Sequence, residues 1–153
     1  MFYGESFHTL DSKGRLFVPK RFQDELSRDA DGTPIAFISR GQDACLYLFS
    51  EAGFQQALAE LQTHVFSGQE LRATQRMFFA NTARVELDSS SRLLIPEKLR
   101  GGVALAKEVV MVGVGDRAEI WPKSAWQQYE ARHVDKLDHI DRVLGKEGPR
   151  KPS

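Results

Sequence analysis

An aspartate and an arginine four residues apart occur twice in this chain, each time in the same setting. Leu10-Asp11-Ser12-Lys13-Gly14-Arg15-Leu16-Phe17-Val18-Pro19 returns seventy-seven residues later as Leu87-Asp88-Ser89-Ser90-Ser91-Arg92-Leu93-Leu94-Ile95-Pro96. In the first copy, Asp-Ser-Lys-Gly is turn chemistry: Asp accepts hydrogen bonds from backbone amides two residues on, and Gly tolerates positive φ. The pattern predicts a hairpin tip that presents Lys13 and Arg15 at an exposed edge. Arg15 offers a planar fork suited to a phosphate or a guanine edge, and Lys13 a mobile point charge. Asp11 can hold the Arg15 guanidinium in one orientation. The same spacing also suits an ion pair that merely closes the hairpin, and spacing alone does not choose between the two.

Residues 1–22 hold four basic side chains, Lys13, Arg15, Lys20 and Arg21, against the acidic Glu5 and Asp11. That predicts a local positive patch in a chain whose 21 basic and 21 acidic residues otherwise cancel. The second copy keeps Asp88 and Arg92 but replaces Lys13 and Gly14 by Ser90 and Ser91, and Lys20 by Glu97. If both copies bind, they bind unequally, with the first the better placed.

The elements that must position these turns also come twice. A repeat of this length cannot bury its own apolar face, so two copies are expected to pack together. After Pro19, Lys20 to Leu26 reads as a short helix opened by proline. After Pro96, Glu97 to Arg100 does the same, with Gly101-Gly102 as an early stop. Each half then carries two β-type runs separated by Gly- and Asp-rich turns: Ile35 to Ile38 and Cys45 to Phe49, then Val109 to Val112 and Ala118 to Trp121. A helix follows in each half. The first sits behind the cap Ser50, with Phe54, Leu58, Leu61 and Val65 on one stripe; the second opens at Pro122, with Trp126, Tyr129 and His133 aligned. Residues 67–82 form the connecting helix, with capping-box spacing from Ser67 to Glu70. The expected division is 1–66, first half; 67–82, connector; 83–135, second half; 136–153, a flexible tail.

Composition excludes several classes. Hydrophobic residues make up 41% of the chain, enough for a core and against global disorder. The lone Cys45 gives no disulfide framework and fits a reducing cytosol. No basic leader precedes an apolar run, and Val109 to Val114 is too short to span a bilayer. His8, His64, His133 and His139 lack metal-ligand spacing, and no Walker loop or nucleophile elbow appears, so neither a metal, a cofactor nor an enzyme is expected. Gly113-Val114-Gly115 reads as a hairpin turn. Arg72 and Arg76 could extend a basic face, though a solvated face is the plainer reading. A neutral subunit needs many copies acting together to bind nucleic acid well.

The doubled Asp-x-x-x-Arg motif with its apolar triplet and Pro, the start Met-Phe-Tyr-Gly-Glu, and Val-Met-Val-Gly before a Trp-Pro together resemble the MraZ family of bacterial transcriptional regulators. The resemblance covers roughly residues 1 to 135. It implies an α+β, mainly β fold: two tandem AbrB-like swapped-hairpin halves forming one pseudo-symmetric β-barrel flanked by helices. It also implies a closed homo-oligomeric ring that binds direct repeats in double-stranded DNA upstream of the division and cell-wall gene cluster, as a cytoplasmic, nucleoid-associated repressor of that cluster and of its own gene. The residues carried over are Asp11, Lys13, Gly14 and Arg15 in the first half, and Asp88 and Arg92 in the second. Lys20 and Arg21 are expected to add positioning contacts. A structural or partner-binding oligomer without specific DNA readout is the competing reading.

Overall fold

A computed structural model describes residues 1–61 and 65–145. His64 and the tail residues 146–153 lie outside the described residues. A first compact unit spans Met1–Lys123, and a second begins at Ser124.

The first unit is built from two copies of one set of elements. Strands β1 (Glu5–Thr9) and β2 (Arg15–Phe17), helix α1 (Lys20–Gln23), and strands β3 (Ile35–Arg40) and β4 (Leu46–Phe49) make the first set. Helices α2 (Glu51–Leu61) and α3 (Gln69–Ala80) lead on to β5 (Thr82–Glu86), β6 (Arg92–Leu94), α4 (Glu97–Gly102), β7 (Glu108–Gly113) and β8 (Ala118–Pro122). The β-rich runs become strands because branched and aromatic side chains pack well on a pleated surface.

The strands do not pair only within their own copies. Six of them form one antiparallel sheet in the order β1-β7-β8-β4-β3-β5. Thus β1 of the first set lies on β7 of the second, and β5 of the second lies on β3 of the first. Exchanging the halves reverses this order and leaves it unchanged, the mark of a pseudo-two-fold axis. The remaining strands, β2 and β6, pair only with each other, as an antiparallel ribbon with Leu16 opposite Leu93. These two leucines occupy the same place in the repeat, so the axis passes between them.

This corrects the expected hairpin tip. The residues around Asp11 form a tight turn, but β1 enters the sheet and β2 enters the ribbon. The chain reverses at the turn without its flanking strands forming a ladder. Partner choice is a long-range property, and period-two alternation is silent about it.

Alternation decides what the ribbon buries. Leu16 and Leu93 are fully buried, whereas Phe17 and Leu94 are exposed. Inward side chains of the ribbon join Ile38, Leu46, Leu48, Val109, Met111 and Ile120 of the sheet in one core cluster. Val18 and Ile95, the residues before each proline, join the same cluster together with Phe22 of α1 and Leu99 of α4. The inward apolar positions of the doubled phrase are therefore core anchors. At about 2–5 kcal/mol per deleted Leu side chain, this layer contributes strongly to stability.

The helices depart from expectation at their ends. Ser50 caps α2, its Oγ accepting the Gly53 amide at 3.1 Å. Phe54 then stacks between Phe37 and Phe78, with ring centroids 4.5 and 6.1 Å away. Val65, placed by its spacing on the same stripe, is exposed. α3 is capped by Gly68 with no side-chain hydrogen bond, so the Ser67–Glu70 capping box does not form. Both Gly101 and Gly102 are within α4, and Val103 is its C-cap. Pro122 closes β8 opposite Val109 instead of opening the next helix, α5 (Lys123–His133). Trp126, Tyr129 and His133 do align on α5, with ring centroids 6.1 and 4.2 Å apart in succession. A 3-10 segment (Val134–His139) and α6 (Ile140–Val143) carry helical turns beyond residue 136. Among the described residues no helix is long and apolar enough to cross a membrane.

Candidate nucleic-acid interface

Both turns are closed by the same hydrogen-bond frame. In the first, the Asp11 amide donates to the Arg15 carbonyl at 3.1 Å and the Gly14 amide to the Asp11 carbonyl at 3.0 Å. The Asp11 carboxylate accepts the Lys13 and Arg15 amides through Oδ1, each at 2.9 Å, and the Arg15 Nε–H through Oδ2 at 2.5 Å. In the second, the Asp88 amide donates to the Arg92 carbonyl at 2.8 Å and the Ser91 amide to the Asp88 carbonyl at 2.9 Å. The Asp88 carboxylate takes the Ser90 and Arg92 amides at 2.9 and 3.0 Å, and the Arg92 Nε–H at 3.2 Å. One short carboxylate thus satisfies two turn amides and fixes one guanidinium, which is why Asp stands at this place in both copies.

These contacts hold the carboxylates in their charged form. The Arg15 backbone amide, followed by the Arg15 guanidinium and the Lys13 amide, pulls Asp11 down to about 2. Asp88 is lowered in the same way, chiefly by the Arg92 amide.

Swapping brings the two turns together. Arg92 Nη1 lies 3.5 Å from Asp11 Oδ2, so one carboxylate oxygen faces an arginine from each half. In the ribbon register, Arg15 sits opposite Leu94 and Phe17 opposite Arg92. All four point away from the core, and they form one outward face of two arginines and two apolar side chains. Both arginines spend Nε on their own aspartate. The terminal Nη groups of Arg15 have no hydrogen-bond partner among the described residues. About a third of each arginine side chain is exposed, 32% for Arg15 and 33% for Arg92. Lys13 is exposed beside them.

The other expected site residues are placed differently. Gly14 is buried, with φ +85°, and a Cβ there would lie 2.5 Å from Cζ of Arg100. Its role is to let the turn close beneath a guanidinium, and it offers no surface. Lys20 pairs with Asp24 one helical turn on, at 2.6 Å. Arg21 donates to the carbonyls of Tyr3 at 3.1 Å and Glu5 at 3.4 Å, with its guanidinium over the Phe22 ring. Those carbonyls are at and just before the start of β1, remote from Asp11, roughly 20 Å or more along an extended strand. The four-cation patch expected from residues 1–22 therefore does not assemble. α1 instead flanks the second turn: the Val18 amide donates to the Ser91 carbonyl at 2.9 Å, and Gln23 Oε1 meets Ser91 Oγ at 3.2 Å. By symmetry α4 flanks the first turn. The cations beside it come from the second half: Arg92, an expected site residue there, and Arg100 and Lys107, which sequence proximity missed. The signal for them lay in the duplication itself, since swapped halves place each helix beside the other copy's turn.

Elsewhere the most buried charge is already satisfied. Glu119 accepts Arg117 at 3.0 Å and the Trp121 indole N–H at 3.1 Å, and Arg117 lies over the Tyr47 ring. Burial pushes the Cys45 thiol up to about 12, far from a reactive thiolate.

The swapped strands, the pseudo-two-fold axis and the aspartate-anchored arginines define a single-chain pseudo-dimer built from a duplicated strand-turn-strand unit. Residues 1–77 and 78–144 each match the family described as "MraZ protein, putative antitoxin-like". The chain belongs to the MraZ family. It is 41% identical over 141 residues to the "Transcriptional regulator MraZ" of Moorella thermoacetica, covering 92% of this chain and 94% of that protein. The protein of the same name from Carboxydothermus hydrogenoformans is 40% identical over 129 residues, 84% of this chain and 86% of the relative. That of Lactiplantibacillus plantarum is 38% identical over 144 residues, 94% and 98% respectively.

Proposed function

We propose that this protein is a sequence-specific, double-stranded-DNA-binding transcriptional regulator that acts through the outward face of the β2–β6 ribbon. One observation carries the reading: two aspartate-anchored arginines converge on one exposed face, and the terminal Nη groups of Arg15 have no partner among the described residues. A held guanidinium loses little freedom on binding, which suits it to a guanine edge. Lys13 supplies a phosphate contact beside it. The relatives' common name supports regulation of transcription.

The finer reading is a repressor of the division and cell-wall gene cluster, including the protein's own gene, bound to direct repeats. Its neutral subunits act as a closed homo-oligomeric ring, because several copies of one weak contact raise the effective concentration of each later one. In the same reading the sheet and ribbon close into a barrel of two AbrB-like halves, 1–66 and 83–135, joined by 67–82 and followed by a tail at 136–153. The protein acts at the nucleoid in the cytoplasm.

Footprinting of the wild-type protein on DNA upstream of its own gene tests this. Protection of regularly spaced repeats, weakening as salt rises, is expected. Uniform protection, or none, would leave the ribbon face to a protein partner.

A further inference from the structure

The two turns share a frame but not their surroundings. Each turn is flanked by the helix and strand of the opposite half, so every neighbour has a counterpart. Where the first turn meets Arg100 of α4, the second meets Gln23 of α1. Both side chains reach the carbonyl five residues back, Arg100 Nε to Ile95 at 3.0 Å and Gln23 Nε2 to Val18 at 2.6 Å. Where the Leu10 amide donates to the carbonyl of Lys107 at 2.8 Å, that of Leu87 donates to Pro34 at 3.0 Å. Lys13 answers to Ser90. The helix starts run the other way, with Glu97 beside the first turn and Lys20 beside the second, but Lys20 is neutralised by Asp24. Even against Glu97, the cations Lys13, Arg100 and Lys107 give the first turn a positive excess over their counterparts Ser90, Gln23 and Pro34; Arg28, bridged to Pro34, spends its guanidinium on the Gly32 carbonyl.

That excess lines a built cleft. Thr9, Leu10, Asp11 and Ser12 form one wall, and Arg100, Leu105, Ala106 and Lys107 the other, around a volume of about 630 Å³. Neither Arg100 nor Lys107 has a carboxylate partner among the described residues. The one acid inside, Asp11, is already engaged by Arg15 and Arg92. The neighbouring Glu108 lies 3.7 Å from Lys123. Exposed Lys107, half-buried Arg100 and Ser12 therefore line an opening next to Asp11, the partner of Arg15, with both cations uncommitted to acids among the described residues.

We infer that Arg100 and Lys107 form a phosphate seat beside the first turn, and that this seat makes the first turn the main anchor on DNA. The inference rests on the DNA-binding reading above. Gly14 is part of the seat: a side chain there would drive the Arg100 guanidinium off its place. The second turn, with Gln23 and Pro34 in the corresponding positions, has no such seat.

The test is titration of a fluorescent duplex carrying the upstream repeats, and of a scrambled duplex, at several salt concentrations. It sets the wild-type protein against Lys107→Gln and Arg100→Gln. Lys107 is exposed, so its variant keeps the fold. Arg100→Gln copies the counterpart Gln23, and a melting curve checks that it folds. Each variant is expected to bind both duplexes several-fold more weakly at fixed salt. The slope of log K against log salt should shrink by about one for each phosphate no longer neutralised, with the operator preference unchanged. Wild-type slopes in Lys107→Gln and in a folded Arg100→Gln would overturn the seat alone. So would a loss confined to the operator duplex, which would make these residues base readers. A wild-type protein that binds neither duplex would overturn the seat together with the reading beneath it.

Discussion

The turn at residues 11–15 and the turn at 88–92 have the same backbone and different chemistry. Both are closed by an aspartate that accepts two amides and an arginine Nε–H. Both place the residue before the arginine at positive φ, Gly14 at +85° and Ser91 at +61°. The difference lies in what surrounds them: Lys13, Arg100 and Lys107 at the first, Ser90, Gln23 and Pro34 at the second. Two jobs that the repeated phrase carries together thus come apart. Leu, Asp, Arg, the apolar residues and Pro build the frame, while the non-repeated cations set how strongly each turn attracts a polyanion.

The frame is tested first, because its failure costs most. Leu16→Ala and Leu93→Ala each remove a fully buried side chain at the pseudo-two-fold axis, and each should lower the unfolding free energy by about 2–5 kcal/mol. Denaturant melts should give similar losses for both. A large loss at one and almost none at the other would break the symmetry of the ribbon.

Gly14→Ala should cost roughly 1–3 kcal/mol, because it combines positive φ with displacement of Arg100. The counterpart change Ser91→Gly should be close to neutral in the same melts, since relief of φ offsets removal of the hydrogen bond to Gln23. Equal effects at the two positions would mean that Arg100 does not depend on the glycine.

Asp11→Asn keeps an acceptor for the turn amides but removes the charge that holds Arg15. Operator affinity is expected to fall several-fold, with a smaller change for Asp88→Asn. Isothermal titration against one operator duplex ranks the two.

The smallest effect is one of pH. A carboxyl whose native pKa is depressed contributes stability above its unfolded value, and that contribution disappears as pH falls through the native value. For Asp11 the window runs from an unfolded value of 3.8 down to about 2. Melting midpoints measured from pH 5 to pH 2 should fall less steeply in Asp11→Asn than in the wild-type protein.

Much of this contrast is legible in the sequence, and the division has a physical cause. The turn is specified by residues within five positions, so Asp11 and Gly14 announce its geometry. Leu16, Val18, Leu93 and Ile95 announce the core by their alternation. Which strand each element meets is not legible, because strand partners are chosen by packing across many tens of residues. For that reason nearness in sequence groups Lys20 and Arg21 with Lys13, whereas α1 in fact lies beside the second turn. Arg100 and Lys107 carry no motif of their own, and only the swap brings them to the first turn. The Ser67–Glu70 spacing suggests a capping box, but Gly68 holds the cap position. Pro122 suits a helix start equally well, and its ladder partner Val109 decides otherwise.

The central claim is that a guanidinium anchored by Asp11 reads DNA. Its most direct test is the ratio of affinities for the upstream repeats and for a scrambled duplex, measured by fluorescence anisotropy for the wild-type protein and Arg15→Ala. The wild-type protein should prefer the repeats, and Arg15→Ala should lose that preference by about 1–3 kcal/mol per site read, with its melting temperature unchanged. An Arg15→Ala protein that melts early yet still prefers the repeats as strongly as the wild type would contradict it, and would make the Asp11–Arg15 pair a clasp for the turn.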